Sequence, residues 1–158
     1  MSHFTKVLFF FATLCVSLGA FAQNQAQNDD KILQDYFKSK HIKPKKTASG
    51  LYYTINKEGK GPHAVTGQTV TMGYKGTFLD GKQFDANMDD NYKVTRPFHF
   101  VLGRGQVIQG WDEGVQLLNK GCRATMYLPS GIAYGARGAG PIPPNAVLIF
   151  EVEVEGID

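Results

Sequence analysis

Three runs of strict alternation decide what this 158-residue chain can fold into. Val70, Met72, Tyr74, Gly76 and Phe78 alternate with Thr69, Thr71, Gly73, Lys75 and Thr77. Cys122, Ala124, Met126 and Leu128 alternate with Arg123, Thr125 and Tyr127, and Leu148, Phe150, Val152 and Val154 with Ile149, Glu151, Glu153 and Glu155. A repeat of two sends one set to a buried face and the other outward, as in a half-buried strand. Leu51–Lys57 reads as a further strand. Asp80-Gly81 is a hairpin turn that returns the chain through Lys82–Asp85. Beyond the polar stretch Ala86–Arg96, Pro97–Leu102 resumes the sheet. Only Gln109–Leu118 in this half carries a helical period, with Trp111, Val115 and Leu118 on one side and Lys120-Gly121 as its stop. Residues 129–146, rich in Gly and Pro, must form a loop. Several antiparallel strands and one short helix predict an α+β fold, a curved antiparallel sheet wrapped on that helix.

The N-terminal part obeys other rules. Lys6 precedes Val7–Ala22, which holds no charge, and the most apolar part, Val7–Leu18, is too short to span a bilayer comfortably. Ala20-Phe21-Ala22 is a small-x-small cleavage signal. Residues 1–22 therefore read as a secretory signal peptide cut before Gln23, with membrane contact only in transit. Two alternatives stay open: a retained anchor, which the length disfavours, and lipoprotein processing at Cys15, which the bulky Leu14 disfavours. Removal of the leader takes Cys15 with it and leaves Cys122 as a lone thiol, so the exported chain must rest on an apolar core without a disulfide. Asn28 or Asp29 can cap a helix over Asn28–His41 that carries Ile32, Leu33, Tyr36 and Phe37 on one stripe. Pro44 stops it, and Ile42–Ser49 reads as a basic linker. The expected organisation is 1–22 leader, 23–49 helix and linker, and 50–158 main domain.

Much chemistry has no residues to carry it. With 17 Lys and Arg against 14 Asp and Glu, and no dense basic run, nucleic-acid binding has no electrostatic support. No phosphate-binding loop opens a helix: Gly103-Arg104-Gly105 lacks the third glycine and the strand-helix context. There is no GxSxG, HExxH or CxxC, and His41, His63 and His99 are scattered. His99 lies in an alternating strand and should face solvent. No metal and no cofactor is expected.

What remains is a set of aromatic residues beside turns and strand ends, with one carboxylate among them: Phe84-Asp85, Pro97-Phe98, Trp111 and Tyr134. Taken singly, each fits ordinary core packing. Taken in order, they resemble the FKBP-type peptidyl-prolyl isomerases, the immunophilins. The resemblance runs over roughly Gly50–Ile157. It rests on Val70–Lys75, Asp80-Gly81-Lys82-Gln83-Phe84-Asp85, Pro97-Phe98-His99-Phe100-Val101-Leu102-Gly103, Gln106-Val107-Ile108-Gln109-Gly110-Trp111, Ala133-Tyr134-Gly135, Ile142-Pro143-Pro144-Asn145-Ala146 and Leu148-Ile149-Phe150-Glu151-Val152.

The resemblance implies a substrate pocket of Tyr74, Phe98, Val107, Ile108, Trp111, Ile142 and Phe150, with Trp111 as its floor. It implies that Asp85, Tyr134 and Phe84 act in the reaction, Asp85 by tuning electrostatics rather than by giving a proton. It implies proline-containing unfolded or partly folded polypeptides as partners and a macrolide as an alternative occupant; removal of the leader near Ala22 would leave the chain in the periplasm or outside the cell. A binding module without turnover and a chaperone are the competing readings.

The chain departs from the family pattern in places. Gln106 replaces an acidic residue, and Gly135–Pro141 lacks the inserted flap of some bacterial relatives, which argues against a chaperone. Loop 86–96 is long, and either extends the groove or is slack. The strand face of Glu151, Glu153 and Glu155 reads as solvated. The N-terminal helix either docks on its own domain, tethers the domain, or supports a weak homodimer.

Overall fold

The computed structural model describes residues 3–158, with side chains from Ala22 onward. Helix α1 (His3–Lys40) leads into strands β1 (Lys45–Lys46), β2 (Tyr52–Lys57), β3 (Lys60–His63), β4 (Thr69–Thr77), β5 (Gln83–Ala86) and β6 (Phe98–Val101). Helix α2 (Gln109–Gly114) follows, then β7 (Asn119–Lys120), β8 (Arg123–Leu128) and β9 (Leu148–Ile157). The main sheet has the order β1-β2-β8-β9-β4-β5, with β6 also on β4, and every pairing is antiparallel. The last strand is thus at the centre. Phe150 lies opposite both Gly76 and Met126, and Val152 opposite both Tyr74 and Ala124. Bulges between Thr71 and Met72 and between Gly76 and Thr77 mark where β4 bends.

The alternation read from the sequence sorts the two faces. Val70, Met72, Ala124, Met126, Leu128, Leu148, Phe150, Val152 and Val154 are buried on the inner face, against Trp111, Val115 and Leu118 of the helical segment. That segment is α2 followed by a 3-10 turn over Val115–Leu117, shorter in its α part than the expected Gln109–Leu118. The 3-10 turn tightens the end of the helix before Leu118 becomes extended.

The outer face is covered as well, which alternation alone does not reveal. Tyr52, Tyr127, Val147 and Ile149 form a second cluster with Leu33 and Phe37 of α1. The Phe37 ring stands edge-on to Tyr127 at 4.9 Å and to Tyr52 at 5.0 Å. At the margin, Asp30 accepts hydrogen bonds from Lys46 (2.6 Å) and the Tyr52 hydroxyl (2.7 Å). Of the three fates open to the N-terminal helix, docking on its own domain is the one seen.

One expectation about α1 needs correction. Asn28 and Asp29 do not cap it, because the helix runs through them from His3. Asp29 is fully buried and bonds across to the turn after β8. The helix ends as expected before Pro44, through His41 at φ +56° and a hydrogen bond from Ile42 N to Phe37 O. Of the leader 1–22, Met1 and Ser2 lie outside the described residues.

Loop 86–96 is neither slack nor part of a groove. It folds over the outer side of β4, where Met88 is buried and a bridge joins Met88 to Val94. Asn87 is its nail: its side chain accepts from Tyr74 N (2.6 Å) and donates to Met72 O and Arg96 O. Nor is the acidic margin of β9 simply solvated. Lys75 bridges Glu151 and Asp90, and Arg123 pairs with Glu153 while lying 4.1 Å over the Tyr92 ring. Opposite charges on neighbouring strands meet there, leaving Glu155 exposed.

Candidate functional site

Between the sheet and α2 opens a cavity of about 650 Å³. β4 supplies Tyr74, β5 supplies Phe84 and Asp85, β6 supplies Phe98, and β9 supplies Phe150. The connection into α2 supplies Gln106, Val107 and Ile108, α2 itself supplies Trp111, and loop 129–146 supplies Tyr134 and Ile142. All ten residues named from the sequence line this one hollow. Ala139, Gly140 and Pro141 also line it. The sequence reading passed over them because they offer shape and backbone rather than a recognisable side chain.

Trp111 is the centre of the ring cluster. Its indole meets Tyr74 and Phe150 edge-on, both at 5.4 Å between ring centres, and Phe98 at 6.0 Å. Phe84 reaches the same cluster through Phe150 at 5.6 Å. Edge-to-face contacts of this kind hold rings at fixed angles. They hold open a concave wall that flexible aliphatic side chains would fill. Gly76 makes room for them: a Cβ there would lie 2.6 Å from the Phe84 ring and 3.0 Å from that of Phe150. Trp111 is 4 % exposed, and its buried indole N–H finds no hydrogen-bond partner among the described residues.

The rim is polar on one side. Asp85 accepts a hydrogen bond from the Tyr74 hydroxyl at 2.7 Å. Burial, that hydrogen bond and the Asp85 charge push the Tyr74 phenol up to about 12. Burial, and secondarily the Asp85 charge, raises Tyr134 as well. Both phenols therefore stay protonated at neutral pH. Asp112, the residue after the floor, accepts from Gly103 N and Gly105 N at 2.8 Å each and so fixes the turn that leads into α2. Gln106 turns to its own loop, its side-chain oxygen accepting from Val101 N at 2.8 Å. His99 is exposed, with Nδ1 3.0 Å from Thr71 Oγ1. Among the described residues, no three His, Cys, Asp or Glu gather to hold a metal ion.

A curved antiparallel sheet over a short helix, with a ring-floored hollow between them and a carboxylate at its edge, defines an immunophilin-type domain. The chain belongs to the FKBP-type peptidyl-prolyl cis-trans isomerase family, whose model matches residues 61–155. It is 44% identical over 114 residues to the FKBP-type peptidyl-prolyl cis-trans isomerase FkpA of Aeromonas hydrophila, a match covering 72% of this chain and 40% of that protein. It is 47% identical over 106 residues to FK506-binding protein 1 of Dictyostelium discoideum, covering 66% of this chain and 95% of that one. The crystal structure of FkpA from Escherichia coli superposes with a TM-score of 0.70 at 31% identity, over 100% of this chain and 74% of that chain. The chain thus spans about two fifths of the length of the curated FkpA relatives it matches.

Proposed function

We propose that the chain is a peptidyl-prolyl cis–trans isomerase that acts on proline-containing segments of unfolded or partly folded polypeptides outside the cytoplasm. The observation that carries this is the single hollow floored by Trp111, walled by Tyr74, Phe84, Phe98 and Phe150, and edged by Asp85. Family membership supports the reaction type. The composition of residues 1–22 supports export, with cleavage before Gln23. No helix among the described residues is long and apolar enough to cross a membrane.

The chemistry needs no covalent step. An X–Pro amide rotates against a barrier of about 18–20 kcal/mol because rotation breaks its resonance. At the twisted midpoint the nitrogen turns pyramidal and the amide dipole shrinks. Water solvates the planar, more polar ground state better than this midpoint, whereas a dry aromatic hollow loses less by holding it. Each ~1.4 kcal/mol of that preference is worth tenfold in rate. In this reading the proline ring stacks on Trp111, and the chain on the far side of the bond rotates. The Val107-Ile108 backbone and the Tyr134 hydroxyl hold the flanking carbonyls. Asp85, fixed by Tyr74, sits near the rotating carbonyl and sets the local field without giving up a proton. A macrolide is the alternative occupant proposed for the same apolar hollow; the Dictyostelium relative carries the binding of FK506 in its name.

The test is exchange NMR on a short X-Pro peptide with the full chain. We expect acceleration that falls at least tenfold in Trp111→Ala and several-fold in Asp85→Leu. Saturable binding without acceleration would replace the isomerase by a binding module.

A further inference from the structure

We propose that Asp29 of the N-terminal helix is a positioning residue for the pocket, acting through Ser130 on the segment that carries Tyr134. This rests on the isomerase reading above, because it concerns the same hollow.

Asp29 is fully buried, 0 % exposed, on a helix whose other contacts with the domain are mainly aromatic and apolar. One carboxylate oxygen accepts from both Ser130 N (2.8 Å) and Ser130 Oγ (2.6 Å), and the other from Gln25 Nε2 (2.7 Å). A buried carboxylate is costly unless its lone pairs are met, and here three donors meet them. Leu33 and Phe37 already supply an apolar seat for the helix. Docking alone therefore has no need of Asp29. What the carboxylate adds is direction: it grips the main chain and the side chain of one residue 101 positions away.

That residue opens the path to the rim. Ser130–Ile132 is a single 3-10 turn, closed by Ile132 N to Pro129 O and Ala133 N to Ser130 O. Tyr134 follows after Ala133 and lines the cavity. The turn also passes close to α2 at Gly110, where a Cβ would lie 3.2 Å from Ile132 O, next to the Leu128 side chain of β8 at 2.5 Å. Gly110 adjoins Trp111. A shift of the Ser130 turn is thus passed to Tyr134 along the chain and to the pocket floor through Gly110. Beyond Ala133 the backbone hydrogen bonds of the loop are internal, Ala139 with Ile142 and Asn145 N to Gly135 O, so a fixed point at its start sets where the rim stands.

The test uses the full chain with Asp29→Asn and Ser130→Ala, singly and together. Asp29→Asn keeps the volume but replaces one acceptor by a donor. Ser130→Ala keeps the main-chain N–H bond and removes the hydroxyl bond, so it stands as the readable variant if the first does not fold. Each should raise KM about fivefold with kcat within about twofold, as expected for a group that places ground-state and transition-state contacts alike. The double variant should be no worse than the worse single one, because both act on the one Asp29–Ser130 contact. The backbone amide signals of Ala133 and Tyr134 should move in each variant. A fall in Tm with KM and those signals unchanged would make Asp29 a plain anchor of the helix and overturn the proposal. If the unaltered chain shows no acceleration, the isomerase reading fails on its own. The Tyr134 amide still decides this proposal in that case: movement in both variants sustains it, and a fixed signal ends it.

Discussion

The amide of Asn87 shows how one side chain can hold a strand in place. It is buried, and it gives Tyr74 N an acceptor at 2.6 Å and takes Met72 O and Arg96 O as partners at 3.0 and 2.9 Å. It thereby serves as a piece of β-ladder for the part of β4 that carries Tyr74. Asn87→Ala leaves these groups unpaired in the interior, and stability should fall by about 2–4 kcal/mol. The check is a lower urea midpoint at unchanged slope. Tyr74 itself gives a pH prediction. Its ordinary value of 10.0 is raised to about 12 in the fold, by burial first and then by Asp85. The unfolded chain loses this proton more readily than the folded one. The stabilisation from Tyr74 is therefore fully present below pH 10 and lost as pH rises toward 12. Tyr36, Tyr127 and Tyr134 are raised in the same direction. Alkaline unfolding of Tyr74→Phe should accordingly show a shallower loss across that window than the unaltered chain, without abolishing it.

Helix α1 is the element whose role depends most on partners remote in sequence. Phe37 packs between two tyrosines of the outer sheet face, so Phe37→Ala should cost about 3–5 kcal/mol, toward the low end if Tyr36 can collapse inward. At the other extreme, His41 holds φ +56° at the helix end, where a side chain is strained. His41→Gly should raise stability by about 1 kcal/mol, read by thermal or urea unfolding. These contacts also explain what was legible. The strands are readable because alternation reports the inner face directly: β2, β4 and β8 stand within a residue of their expected limits, and β9 runs two residues beyond its own, to Ile157. Alternation reports nothing about what covers the outer face. Tyr127 and Ile149 fall on the side that alternation sends outward, Tyr52 lies in a strand for which no face was legible, and only a partner far away in sequence buries them. Asp29 was misread for a related reason. An acid near a supposed helix start looks like a cap, and no local signal distinguishes that from a buried hydrogen-bond acceptor.

At the scale of the whole molecule, the hollow was legible because many short segments stood in one order, not because any spacing displayed a pocket. Trp111, Phe84 and Phe150 are far apart in the chain: the pairings of β4 with β5 and with β9 bring Phe84 to Phe150, and the packing of α2 on the sheet brings Trp111 to Phe150. Ala139, Gly140 and Pro141 escaped notice because a wall made of backbone leaves no mark in residue type. The same topology makes a demand on folding. β9 is last in sequence and central in the sheet, so the inner core cannot close until the C-terminal end has arrived. Pairing over such separations carries a loop-closure cost before it returns contact energy, and refolding should fall in the ms–s range. The two ends of the chain should then fail differently when shortened. Without β9, Phe150, Val152 and Val154 are gone and the inner edges of β4 and β8 lose the strand between them. A chain ending at Asn145 should lack a cooperative unfolding transition and a native near-ultraviolet circular dichroism signal. Without α1 the inner core keeps all its members, since among the described residues none comes from that helix. A chain beginning at Thr47 should unfold cooperatively, at a lower Tm because Tyr52, Tyr127 and Ile149 are bared. If the chain without β9 unfolds cooperatively with native near-ultraviolet dichroism, the last strand is a late addition to a core that already stands, and the central place of β9 carries no energetic weight.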